Sequence, residues 1–252
     1  FESYHRSPKG LTQFRPFFIS TCESCKLLFI WMSLMNFRIR SIVLVAVLVF
    51  VSRAATAELG DNQVWSTVTI SKRVYERFDV RVGPELQWAE NASMHYLTQH
   101  EIGVDYNMNN GIRPGIAFKR IIEKEQEGTV IYDVPFFELK LGGTTKWISF
   151  DVRNRIELFT AKALDPFYRF RQRVKITTVR GLGTLNVRPF FSEEYFAILN
   201  HGEFNKNRIN IGAMFNLDFV AKVEIYYLLQ TRKTPTNWPS DHVMGANLNL
   251  YL

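Results

Sequence analysis

FVAKVEIYYLLQTR, residues 219–232, alternates with a period of two. Phe219, Ala221, Val223, Ile225, Tyr227 and Leu229 fall on one side, and Lys222, Glu224, Gln230 and Arg232 on the other. A period of two is that of a β-strand with one apolar and one polar face. The same pattern recurs upstream. In 147–160, Ile148, Phe150, Val152, Ile156 and Leu158 oppose Ser149, Asp151, Arg153, Arg155 and Glu157. In 167–179, Tyr168, Phe170, Val174 and Ile176 oppose Arg169, Arg171, Arg173 and Lys175. Residues 208–217 and 78–88 repeat it, and weaker versions occupy 63–71, 94–106, 112–123, 130–141, 185–196 and 242–252. No window sustains a helical period. The pattern predicts eleven strands, nearly all antiparallel, joined by short turns such as Asn109-Asn110-Gly111, Gly142-Gly143 and Gly181-Leu182-Gly183.

Two architectures fit such strands. A soluble sandwich buries the apolar face and wets the polar one, whereas a transmembrane barrel turns its apolar face to lipid and its polar face to a lumen. Globular strands average about five or six residues, while a tilted bilayer-crossing strand needs roughly 9 to 11, and most segments here meet the longer requirement. The expectation is therefore an all-β transmembrane barrel of ten to twelve strands. Bacterial single-chain barrels have an even number of strands. Residues 78–252 supply ten, leaving 63–71 as an extra strand that needs a twelfth partner or joins the wall only in part. Connections near 123–128, 161–166, 198–205 and 233–240 are expected at the extracellular end, with the last strand finishing in the periplasm.

The preceding segment supplies a route to that membrane. Met35-Asn-Phe-Arg-Ile-Arg40 is basic, 42–51 is an apolar run, and Ala55-Thr56-Ala57 places small residues at a signal-peptidase site. The run is about half the roughly 20 residues of a membrane-spanning helix, which favours a cleaved signal over an anchor. The expected division is a non-native or over-extended leader at 1–31, a signal peptide at 32–57 cut between Ala57 and Glu58, and one barrel domain at 58–252.

This division alters the charge and cysteine counts. The 252 residues hold 31 Lys and Arg against 24 Asp and Glu, a net +7, with 46% hydrophobic residues and two cysteines. Seven of the basic residues, two of the acids and both cysteines (Cys22 and Cys25) precede Glu58. Residues 58–252 keep 24 basic and 22 acidic groups and no cysteine, too near neutrality to track a phosphate backbone, so no nucleic-acid partner is expected.

WISFDVRNRIELF (147–159), FYRFRQRVKI (167–176), RPFFSEEYF (188–196) and NRINIGAMFNL (207–217), with the opening Asn62-Gln63-Val64-Trp65, resemble the outer-membrane barrel family designated domain of unknown function 2490 (DUF 2490). The R-x-R-x-E run at Arg153, Arg155 and Glu157, followed by R-x-R-x-R at Arg169, Arg171 and Arg173, carries most of that resemblance. It implies an outer-membrane location and no established activity. The expected partners are outer-membrane lipid and, during insertion, the barrel-assembly machinery.

The arginine ladder is the candidate functional feature. Arg153, Arg155, Arg169, Arg171, Arg173, Lys175, Arg188 and Arg208 are expected to face the lumen, either favouring anionic solutes as rings of basic residues do in anion pores, or pairing with acids that fill a narrow barrel. Asp151, Glu157, Glu138 and Glu194 are available to pair with Arg153, Arg155, Arg171 and Arg188. The function expected is a structural, porin-like or narrow-channel role. The alternatives are a soluble secreted binding protein and an embedded enzyme. A hydrolase needs a nucleophile, a base and an orienting group in mutual reach. His95, His100, His201 and His242 are scattered, and His100 shares a face with Tyr96 and Ile102 by parity. No catalytic residue, metal or cofactor is expected.

Overall fold

The structure is a computed structural model that describes residues 62–90, 92–125, 128–162, 164–183, 186–217, 220–234 and 237–252. The leader, the signal segment and the Ala57-Glu58 cleavage site lie outside the described residues. Eleven strands succeed one another: β1 (Asn62–Tyr75), β2 (Phe78–Ala89), β3 (Met94–Tyr106), β4 (Ile112–Glu125), β5 (Gly128–Thr144), β6 (Ile148–Ala161), β7 (Leu164–Thr178), β8 (Arg188–Ile198), β9 (Glu203–Asn216), β10 (Ala221–Arg232) and β11 (Ser240–Tyr251). Each pairs with its sequence neighbours, and β1 closes on β11 to complete a barrel.

The closure settles the parity question in favour of eleven. Strands that alternate up and down must have their first and last members pointing the same way when their number is odd. Accordingly β1 and β11 pair in parallel, from Asn62↔His242 to Ser71↔Tyr251. Residues 62–75 are thus a full wall strand, longer than the expected 63–71, and neither a twelfth strand nor a partial one is present among the described residues. Asn62 and Tyr251 consequently mark opposite rims.

The strands run 11 to 17 residues. At ~3.3 Å per residue and a tilt of roughly 35–45°, a 14-residue strand rises about 33–38 Å, enough to cross a ~30 Å apolar layer. The four connections assigned to one end do share the Asn62 rim, but the longest connection, 179–187, is at the Tyr251 rim and is pinned by a Leu182↔Val187 bridge. Gly142-Gly143, expected as a turn, is instead strand: β5 continues to Thr144, with Gly142 opposite Asp151 and Gly143 opposite Phe150. The Asn109-Asn110-Gly111 turn is present. Asn110 and Gly111 have φ of 71° and 77°, the left-handed conformation that these residues tolerate best.

Alternation sorts the side chains inversely to a water-soluble protein. Ile102, Ile116, Phe137, Ile156 and Ile211 point outward, each about half exposed or more, while Arg155, Lys119, Glu138 and Glu157 are buried inside. Two apolar clusters share the interior with these charges. One gathers Trp65, Phe190, Met214, Tyr226, Leu228 and Val243, and the other Ile121, Val134 and Phe159. Gly245 is required by the first, because a Cβ there would run into the Tyr226 ring.

Candidate functional site

The interior charges descend directly from strand register. Pairing of β6 with β7 sets Arg153 opposite Arg173, Arg155 opposite Arg171 and Glu157 opposite Arg169. Like charges directly across a sheet repel, so two facing arginine pairs need carboxylates from elsewhere. Those come from strands to either side. Glu138 on β5 takes Arg155 Nε at 2.7 Å, and Glu194 on β8 takes Arg153 at 2.8 Å and Arg171 at 2.9 Å. Glu157 gathers Lys119 at 2.6 Å, Arg169 at 2.6 Å and Arg171 at 3.2 Å.

The network continues around the wall. Arg81 pairs with Glu101 at 3.0 Å and with Asp105, and its Nη2 approaches Glu138 Oε1 to 2.5 Å as a charge contact without hydrogen-bond alignment. Lys140 bridges Asp105 and Glu138, both at 2.8 Å. Arg173 meets Asp151 at 2.9 Å, and Lys175 reaches past two strands to Glu224 on β10 at 2.6 Å. Glu138 and Glu157 have no exposed side-chain surface and Lys119 has 1%. Aromatic rings pack against the guanidinium faces: Arg155 over Phe136 at 4.5 Å, Arg169 over Phe159 at 4.3 Å and Arg208 over Trp65 at 4.6 Å.

A cavity of about 820 Å³ runs through this interior and is lined by residues from all eleven strands. Its lining extends from Leu97, Tyr132 and Arg232 toward the Asn62 rim to Arg73, Asp79 and Tyr251 at the other. At ~30 Å³ per water molecule it has room for a few tens of them.

Of the residues selected from sequence, Arg153, Arg155, Arg169, Arg171, Arg173, Lys175, Glu194 and Arg208 line this cavity. Glu157 sits behind the lining as the buried anchor of three cations. Arg188 is displaced from the set: it keeps the inward parity, but it starts β8 at the Tyr251 rim, where its Nε donates to the Thr178 carbonyl at 2.8 Å instead of meeting a carboxylate. Asp151 pairs with Arg173 and, at 3.9 Å, Arg113, and with none of the four cations proposed for it.

Sequence reasoning missed Arg81, Glu101, Asp105, Lys119 and Lys140. Their signal was parity, since Arg81 occupies the polar side of the 78–88 segment and the others that of weaker alternating segments. Tyr96 was placed wrongly for a local reason. A bulge sets Gln87 against Leu97 and Trp88 against His95, so Tyr96 is the extra residue. It turns inward and donates its hydroxyl to Gln87 Oε1 at 2.5 Å, with Gln63 Oε1 3.1 Å away. His100 stays on the outer face with Ile102. His242 pairs through its ring with the Tyr227 hydroxyl, and no cluster of three metal-ligating side chains occurs among the described residues.

No curated protein matches the sequence. The profile of a family described as "Protein of unknown function (DUF2490)" matches residues 62–241, which is most of the barrel and includes the β6–β7 arginine ladder. The chain belongs to the DUF2490 family.

Proposed function

We propose that this protein is an outer-membrane β-barrel whose arginine-rich interior forms a narrow passage for small anions. The observation that carries the reading is the inverted sorting of the wall. Apolar side chains such as Ile116, 66% exposed, and Ile211, 57% exposed, cover the outside, where water would disfavour them and lipid would not. Aromatic residues stand at both ends of this surface, Tyr168 and Trp238 by the Asn62 rim and Tyr75 and Trp147 by the other, as in the girdles of membrane barrels.

Charge supports the choice of solute. The cavity lining holds sixteen lysines and arginines against eight aspartates and glutamates, although the chain after residue 57 is close to neutral. Inward residues of β7 succeed one another at about 6.6–6.8 Å along the strand, so Arg169, Arg171, Arg173 and Lys175 offer closely spaced stations. A conducting path needs several such sites, each attractive enough to enter and weak enough to leave. A sealed structural barrel is the second reading, and the bridges that cut across the interior, Lys175–Glu224 and Arg81–Glu138, favour it.

Location is tested by expressing the full chain in a Gram-negative bacterium. Recovery in the outer-membrane fraction, with a band that migrates differently before and after boiling in detergent, is the expected result. Recovery from the soluble periplasm as a folded protein would refute the reading.

A further inference from the structure

We propose that Lys206, Arg208 and Arg169, gathered around the Phe196 ring near the Asn62 rim, form a binding site for a phosphate-type oxyanion. The inference deepens the passage reading, since the site opens into the same cavity, but it stands on a separate observation: the charge around Phe196 does not balance. Four cations lie over this one ring, Arg171 at 4.7 Å, Arg208 at 4.9 Å, Arg169 at 5.4 Å and Lys206 at 5.5 Å. Phe196 itself is 1% exposed.

The carboxylates within 4.0 Å of these cations are Glu157 and Glu194, and both are shared with others. Glu157 also holds Lys119, and Glu194 also holds Arg153. Six cations thus divide two carboxylates. Arg208 reaches Glu194 only at 3.8 Å and spends its Nε on Gln230 at 2.7 Å. Lys206 has no carboxylate within 4.0 Å among the described residues. Arg171 Nε is buried without a hydrogen-bond partner, a further donor left free on the same side.

Register explains the deficit. Inward positions on β8 are Ser192, Glu194 and Phe196, so the strand supplies one carboxylate to the middle of the barrel and an aromatic ring where the next would fall. Cations drawn together in a confined cavity with too little counter-charge repel one another, and a bound anion removes that cost. The Nη groups of Arg208, the remaining Nη1 of Arg169 and the Lys206 ammonium provide planar donors and a point charge, a combination suited to a tetrahedral oxyanion. An excess of more than one positive charge favours a dianion over chloride. Glu123 also faces the cavity near this rim and sets the side from which an anion is repelled.

The test is calorimetric titration of inorganic phosphate into the full-chain protein purified from membranes in detergent, at low chloride so that screening is small. Saturable binding is expected, and Lys206→Gln and Arg208→Gln should each weaken it by at least about tenfold, the usual worth of a hydrogen bond to a charged group. Lys222→Gln, which removes a cavity cation at the opposite rim where it lies 5.4 Å over Tyr251, should leave it unchanged. A second titration adds micelles of a phosphorylated lipid. Failure of the lipid to displace phosphate assigns the site to a free oxyanion, and displacement assigns it to a headgroup. Absence of saturable binding in folded protein, or equal weakening by Lys206→Gln and Lys222→Gln, overturns the site. Anion flux into vesicles separates the two claims, since flux without saturable binding sinks the site and leaves the passage, and binding without flux does the reverse.

Discussion

Glu157→Gln is the sharpest perturbation of the interior. The substitution keeps the shape of a side chain with no exposed surface and deletes its charge. Glu157 Oε1 accepts from Lys119 Nζ at 2.6 Å and Arg171 Nη1 at 3.2 Å, and Oε2 from Arg169 Nε at 2.7 Å. The three cations lose unequally. Arg171 retains Glu194 at 2.9 Å, and Arg169, at 16% exposure, can turn to cavity water. Lys119, at 1% exposure and packed between Phe136 and Phe159, has no second carboxylate within 4.0 Å among the described residues. Removing one partner of a buried pair costs about 3–5 kcal/mol, and the relief open to both arginines sets the expectation near 3 kcal/mol. Adding Lys119→Met removes the stranded ammonium and should restore at least ~1.5 kcal/mol, a coupling typical of residues in direct contact. The assay is reversible urea unfolding in lipid vesicles followed by tryptophan fluorescence, with the slope unchanged between variants. A loss below about 1 kcal/mol, or a double variant less stable than Glu157→Gln alone, would refute the reasoning.

Three further outcomes are expected. Ile156→Arg, on the outer face near the middle of β6 and 48% exposed, should destabilise the barrel in vesicles by about 2–4 kcal/mol, whereas an exposed site on a soluble protein would shift by no more than ~0.5 kcal/mol; the same urea titration reads the difference. Glu194→Gln removes the counter-charge of Arg153 and Arg171 and should move ion selectivity in bilayer recordings further toward anions; unchanged selectivity would place Glu194 off the conducting path. With Cys22 and Cys25 replaced by serine, Val64→Cys with Met244→Cys should cross-link under mild oxidation and alter gel mobility, because these positions are opposite each other across the parallel seam. No cross-link in folded protein would contradict closure by β1 and β11.

The strands were legible because alternation is a local property. Segments such as 94–106 and 112–123 fall within a few residues of their observed bounds, and the absence of any 3.6-residue period correctly excluded helix as a wall element. Closure was less legible, since an even-strand rule drawn from bacterial barrels argued against 62–75 as a full member, and only the register with β11 shows that a parallel seam accommodates it. Gly142-Gly143 misled because glycine pairs usually mark turns, whereas here each lies opposite a β6 residue inside a long strand.

At the site, parity located the ladder but not the partners. Which carboxylate meets which cation depends on the stagger between strands. That is why Glu138 with Arg155 and Glu194 with Arg153 could be anticipated as possibilities, while Lys175 with Glu224, three strands apart around the wall, could not. Tyr96 shows the limit of parity itself: one bulge reverses a side chain that simple counting had placed outside. The excess of cations over carboxylates around Phe196 was equally hidden, because that deficit exists only once β7, β8 and β9 are laid side by side.

The most direct measurement is the reversal potential of the full-chain protein, purified from membranes and inserted into a planar bilayer under a potassium chloride gradient. An interior lined by twice as many basic as acidic groups should pass small currents that reverse near the chloride equilibrium potential. Reversal near the potassium potential, or silence from protein shown to be folded and inserted, would contradict the anion passage.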